Sequence, residues 1–291
     1  MEIDQAQEWS IRLFNKSVLK QRKFKQIVAQ LGRTDHLQCL DIGSDNGVIS
    51  YLLRQRGGSW KSADLDQNTV NAIRRLVKTG VFQINGRQTP FEDEEFDRVV
   101  IVDFLEHIPD DVGFTREMFR IIKSNGELII NVPHVKDGLL RKFRHAIGQT
   151  DEKHGHLRPG YTLNSIQDLL GDQFTLQSSG TYSKFFSELI DTLIVFAVSL
   201  VQKKKGQSKK GLVVTGDDLA GNRSAFKAYS LIYPLVWLFS KLDGLLFFTS
   251  GYMLIVKARA IKESTGFQAG MVGISESRLP SMGKNELKEV R

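Results

Sequence analysis

The chain has 291 residues, 41% of them apolar, which excludes a wholly disordered protein and allows one large domain with appendages. The formal charge of +7 asks for an anionic partner, nucleic acid or membrane surface according to where the basic residues lie. The only cysteine, Cys39, excludes a disulfide framework and points to a reducing compartment, hence a cytoplasmic protein.

At the N-terminus no basic stretch leads into an apolar one, so no cleavable signal peptide is expected. Between Glu8 and Gly32, residues Trp9, Ile11, Phe14, Val18, Phe24, Ile27 and Leu31 recur at helical spacing and predict one or two helices. Lys16, Lys20, Arg22, Lys23 and Lys25 make this leading segment, residues 1–35, basic. A solvated helix face explains them, and a membrane-facing one is the alternative.

From Gln38 to Ser50 the chain reads as a buried strand, a glycine turn and a helix start. Cys39, Leu40 and Ile42 suit a central parallel strand, with Cys39 packed in the core. Gly43 and Gly47 bracket a turn that must bend sharply and leave room for a ligand. The run Gly43-Ser44-Asp45-Asn46-Gly47 is not the dinucleotide fingerprint, and Asp41 and Asp45 favour a ligand carrying an amino group over a pyrophosphate. An acid about twenty residues beyond such a turn accepts hydrogen bonds from ribose hydroxyls, and Asp64, followed by Leu65, stands there. Asp66 is expected to cap a helix starting near Asn68.

Leu40-Asp41-Ile42-Gly43-x-x-x-Gly47 resembles motif I of the class I S-adenosylmethionine-dependent methyltransferases (the type 11/12 domains), departing from it where the middle glycine is Asp45. Asn85-Gly86-Arg87-Gln88-Thr89-Pro90-Phe91 resembles the family's third motif, with Asn85 in place of an aspartate that reads the adenine amino group. Phe96-Asp97-Arg98-Val99 through Leu105-Glu106-His107 resembles the family stretch that ends in Leu-Glu-His. The resemblance implies an enzyme with S-adenosylmethionine as cofactor, held by Asp41, Gly43, Ser44, Gly47, Asp64, Leu65, Asn85, Gly86 and Asp103. It also implies an α/β fold with a doubly wound seven-stranded sheet. The alternation of strands and helices to His134 points the same way, since ligands in such sheets bind beyond the carboxyl ends of the strands.

The segment Val135 to Gly160 is polar and holds His145, His154 and His156. A zinc site there lacks a cysteine pair or a His-x-x-x-His helix, so no metal is expected. The run resembles the family segment that borders the acceptor pocket and leads into a helix, here Thr162 to Leu170. Phe174 to Ser183 alternates as a sixth strand and residues 251–258 as a seventh. The core is therefore expected over residues 36–183 and 251–261, with a disordered tail over 262–291.

Residues 184–250 interrupt the last two strands with two apolar helix candidates, Phe185 to Gln202 and Phe226 to Phe248, joined by a lysine-rich linker, Lys203 to Lys210. Glu188, Asp191, Lys227, Pro234, Lys241 and Asp243 punctuate them, so neither reaches the ~20 apolar residues that span a bilayer. Interfacial helices fit this pattern, with Phe185, Phe186, Tyr229, Tyr233, Trp237, Phe239, Phe247 and Phe248 as anchors and the lysines drawn to anionic lipid. A packed lid or a dimer interface is the alternative, and no nucleic-acid-binding signature appears.

The expected function is methyl transfer to a hydrophobic or lipid-linked acceptor at a membrane surface, with O-methylation favoured. The alternatives are a non-catalytic binding subunit and a methyltransferase of a soluble small molecule. For a hydroxyl acceptor His107 is the leading general base and His154 and His156 are second choices, since imidazole titrates near neutral pH.

Overall fold

In the computed structural model, which describes residues 5–136, 138–148, 155–204 and 223–262, seven strands form one sheet in the order β3-β2-β1-β4-β5-β7-β6. Two helices lead in, α1 (Gln5–Phe14) and α2 (Val18–Leu31), the second capped by the Ser17 hydroxyl on the Lys20 amide. Then come β1 (Gln38–Ile42), α3 (Val48–Arg54), β2 (Ser59–Asp64), α4 (Gln67–Val77), β3 (Val81–Gln83) and β4 (Phe96–Val102). A 3-10 turn (Leu105–His107), α5 (Asp111–Ile121) and β5 (Ile122–Pro133) follow. The first five strands are parallel, whereas β7 (Met253–Ala260) runs antiparallel between β5 and β6 (Phe174–Tyr182). α6 (Leu139–Ala146) and α7 (Leu163–Leu170) lie between β5 and β6.

Alternation along the central strands explains why both faces are apolar. Val99 and Ile101 of β4 join Leu40, Ile42, Leu128 and Ile130 on one face, and Val100 and Val102 join Cys39, Ile129 and Ile255 on the other. Helices α5 and α7 cover the first face and α2 and α3 the second, so a period-2 strand reads as a continuous apolar run. Burial pushes the Cys39 thiol up to about 12, as befits a core residue. Asp66 caps α4 through the Thr69 amide, at 2.9 Å, and Thr162 forms a capping box with Ser165 on α7.

Two element boundaries are unusual, and the second departs from the expected one. Strand β5 begins at Ile122 and carries Ser124-Asn125-Gly126 within it, Asn125 taking a positive φ of 61° and the ladder to β4 shifting register there. The second inserted helix, α9 (Arg223–Ser240), ends before Phe248 and gives way to a 3-10 segment (Lys241–Leu246). The cause is Asp243, which turns back to cap the first inserted helix, α8 (Phe185–Lys204), by accepting from the Lys184, Phe186 and Ser187 amides. No described helix is long and apolar enough to cross a membrane.

The insertion divides into a packed part and an open part. Ser187, Glu188 and Thr192 of α8 are buried, with Arg144 of α6 donating to Glu188 at 2.6 Å and to Thr192 at 2.9 Å. Phe186 stacks edge-on against both Phe185 and Phe239, so these three rings pack within the insertion. Tyr233 accepts from Gln21 and lies under Lys16. The open part is the outer face of α9, the 3-10 segment and the turn after it, where Leu231 is 82% exposed, Phe247 83% and Phe248 74%. The tail beyond Lys262, the linker from Lys205 to Lys210, the side chain of Tyr229 and His154 lie outside the described residues.

Candidate active site

The loops after β1, β2, β3 and β4 meet at one edge of the sheet. Gly43 has φ 82°, and a Cβ there would come within 2.2 Å of the Val102 carbonyl oxygen, so only glycine lets β1 and β4 close this tightly. Asp45 sits at φ 53°, the left-handed region that a glycine fills in the family pattern and that aspartate tolerates better than most residues. The departure at this position therefore keeps the loop's shape.

Asp41 is fully buried and accepts from the Ser44, Ser50 and Ser62 hydroxyls at 2.5, 2.5 and 2.7 Å, with Arg54 at 3.5 Å. Its carboxylate is thus enclosed by protein donors, and it shapes the loop through Ser44. The Asp64 carboxylate accepts from the Leu65 and Asp66 amides, yet burial pushes it up to about 6 with Asp45 adding to the effect. Leu65 and Ile108 flank Gly86, whose added Cβ would meet Ile108 at 2.9 Å and Leu65 at 3.2 Å. Two apolar side chains thus pack directly on the Gly86 backbone, in the loop after β3. The Asn85 side-chain oxygen accepts from the Arg87 and Gln88 amides and is engaged by its own loop.

Asp103, at φ 45°, accepts from Asn131 at 2.8 Å and pairs with Lys23. Burial opposes the Lys23 charge, but Asp103, with Asp45 and Glu106 behind it, outweighs that and raises its pKa. Lys20 lies 3.6 Å from Asp45. The basic leading helix, read from sequence as a solvated or membrane-facing surface, thus places two lysines over the strand ends. Only the fold shows this, because residues 20 and 23 are remote in sequence from every motif they touch.

Glu106 is fully buried, and neither carboxylate oxygen has a hydrogen-bond partner among the described residues. Burial and the Asp103 charge hold it well above the usual carboxylate range. Next to it the Nδ1 of His107 lies 3.1 Å from the Gly155 carbonyl oxygen, and the His107 and His156 rings stack edge-on with centroids 4.9 Å apart. Beyond His156 a cavity of about 260 Å³ is lined by His134, Lys136, Arg144, Asp191 and Tyr252 among others. The Asp191 carboxyl of α8 is pushed up to about 6 by burial and by Glu188, against the pull of Arg144, Lys20 and Lys23. The first inserted helix therefore roofs the space beside the strand ends, and sequence periodicity had no means of showing it.

Comparison with known proteins agrees with this layout. Residues 40–130 match the family model described as a methyltransferase domain. A ubiquinone biosynthesis O-methyltransferase of Pseudomonas aeruginosa is 32% identical over 99 residues, 32% of this chain and 42% of that protein. Methyltransferase GfsG of Streptomyces halstedii is 25% identical over 118 residues, 38% of this chain and 42% of that protein. The matched stretch thus spans less than half the length of either relative. Among solved structures, the [4+2]-cyclase SpnF superposes with a TM-score of 0.55 at 16% identity, covering 83% of this chain and 81% of that one. A sarcosine dimethylglycine methyltransferase candidate from Galdieria sulphuraria gives 0.54 at 13%, covering 83% and 86%. These structures share the fold. Motif loops, strand order and family match together place residues 40–130 in the class I S-adenosylmethionine-dependent methyltransferase family, whose cofactor is S-adenosylmethionine.

Proposed function

We propose that the protein transfers a methyl group from S-adenosylmethionine to a hydroxyl on a hydrophobic or lipid-linked acceptor, taken up at the cytoplasmic face of an anionic membrane. The observation that carries the acceptor class is the open apolar face of α9 and the 3-10 segment, joined through Asp243 to the helix that roofs the cavity. The names of the Pseudomonas relatives support oxygen as the reacting atom and a quinone precursor as one such acceptor.

The residues present fit the cofactor. Gly43, Ser44 and Gly47 would hold its methionine end, with Asp41 fixing the loop and Asp103, Lys20 and Lys23 balancing the charges there. Among the described residues Asp64 has no cationic partner, which suits a carboxylate that accepts from ribose hydroxyls. Leu65 and Gly86, with the Asn85 loop beside them, would offer an apolar surface to a base. When bound, the cofactor supplies an electrophilic methyl group on a sulfonium. The protein's own work is to align the acceptor, exclude water and take up the acceptor's proton at the cluster around His107.

Calorimetry with S-adenosylmethionine, followed by transfer of labelled methyl to a polyprenylated phenol in vesicles, tests the proposal. Binding with turnover on this acceptor supports it. Turnover only on water-soluble phenols sinks the membrane reading. Binding without turnover on any acceptor favours a non-catalytic subunit, a reading that draws on the engaged oxygen of Asn85.

A further inference from the structure

We propose that Glu106, His107 and His156 bind a divalent first-row transition metal ion, beside the space where the acceptor's hydroxyl is expected. One ligand atom from each of the three lies within 4.8 Å of the other two. Around a tetrahedral ion with bonds of about 2.0–2.1 Å, ligand atoms stand roughly 3.3 Å apart, so the cluster needs to contract by at most about 1.5 Å. Two imidazoles and one carboxylate form a mixed nitrogen and oxygen set that suits zinc, manganese, iron or cobalt better than magnesium or calcium. Three protein ligands leave a coordination position open, as sites that bind a reactant require.

Three further observations point to an ion. Glu106 is fully buried with neither oxygen hydrogen-bonded among the described residues, an arrangement that a bound cation relieves directly. The nearest basic side chains are committed elsewhere, Lys23 to Asp103 and Arg158 to Asp111 and Tyr161. The contact of His107 Nδ1 with the Gly155 carbonyl makes that nitrogen the protonated one, so Nε2 carries the lone pair. The ligand-bearing segments are also clamped together. The Leu157 amide donates to the Glu106 carbonyl oxygen at 2.8 Å, and Arg158 donates to the carbonyl oxygens of Ile108 and Pro109. The sequence offers His154 and His156 no cysteine pair or His-x-x-x-His helix, whereas the fold brings Glu106 and His107 to His156.

The ion would hold the acceptor oxygen as a further ligand and acidify its hydroxyl, so that with the ion bound the proton leaves to solvent rather than to His107, a role that rests on the methyl-transfer reading, whereas the ion site itself does not. The test uses the full chain, stripped with a chelator and dialysed, then titrated with Zn²⁺ by calorimetry and with Co²⁺ by visible absorption. One equivalent should bind, with d–d bands of a low-coordinate nitrogen and oxygen site. Glu106→Gln and His156→Ala should each weaken Zn²⁺ binding by a factor on the order of a hundred. S-adenosylmethionine binding by the same variants serves as the check that they are folded, and His156→Ala removes a side chain outside the buried core. No stoichiometric binding of either ion by the parent protein overturns the proposal. So does binding that both folded variants retain at full strength. Zinc bound at this site without methyl transfer leaves the metal site standing and sinks the methyl-transfer reading. Turnover unchanged by chelation, with no metal bound, does the reverse.

Discussion

Arg22 of the second leading helix donates to Asp243 of the insertion at 2.6 Å, while the same carboxylate caps α8. Two stretches far apart in sequence are thus held by one buried acid, and the cavity's roof is anchored to the helix that carries Lys23. Hydrogen bonds from Ser187, Lys184 and Arg22 outweigh the cost of burial and hold Asp243 below the usual carboxylate range. Removing one member of such a pair leaves the other uncompensated.

Asp243→Ala is therefore expected to lower stability by about 2 kcal/mol, with earlier proteolysis within residues 185–248. Because the folded-state pKa is depressed, this stability is present above the unfolded value near 3.8 and lost as pH falls through the lower folded value. Melting curves of parent and variant from pH 7 down to pH 3 check both points, and the two curves should converge only in acid.

Asp64 works in the opposite sense. Its pKa of about 6 exceeds the ordinary 3.8, so the folded state binds the extra proton and stability from this group falls as pH rises from about 4 to 6. Asp64→Asn should then raise the melting temperature at pH 7.5, by up to about 3 kcal/mol of stability, and leave it nearly unchanged at pH 3.5. The same variant should weaken S-adenosylmethionine binding by at least about tenfold, because ribose loses a charged acceptor. Calorimetry of a stabilised variant with undiminished affinity would rule out the ribose role.

His107→Ala is expected to lower turnover by a factor on the order of a hundred while leaving cofactor affinity within about twofold. Its imidazole contacts the His156 ring and the Gly155 carbonyl, so the chemical step should suffer and cofactor binding should not. A parallel loss of cofactor affinity would assign His107 to folding of the loop.

Leu245, Phe247 and Phe248 are largely exposed, so replacing all three by Glu should leave the melting temperature within a degree or two. Flotation of the parent with vesicles should strengthen with anionic lipid and weaken with salt, and the triple variant should stay in the soluble fraction. Equal flotation of both proteins would exclude this face as the anchor.

Local sequence determined most of the sheet. The apolar run of β1, the two glycines that bracket its turn and the Leu-Glu-His stretch after β4 act over a few residues, through sterics and burial, so they are legible one at a time. Strand ends followed from the same patterns, and with them the positions of Gly43, Asp64 and Asp103. The tertiary structure decided what those patterns cannot carry. Asp41 is an internal hub because Ser62 and Arg54 converge on it, and Asn85 is engaged because its loop folds back. Lys23 and Asp191 reach the strand ends only because α2 and α8 cross them, and His156 joins Glu106 through contacts between the turn after β4 and the segment after β5. Charge and hydrogen bonding act through space, so a residue's partners depend on packing between distant segments, which no local periodicity encodes.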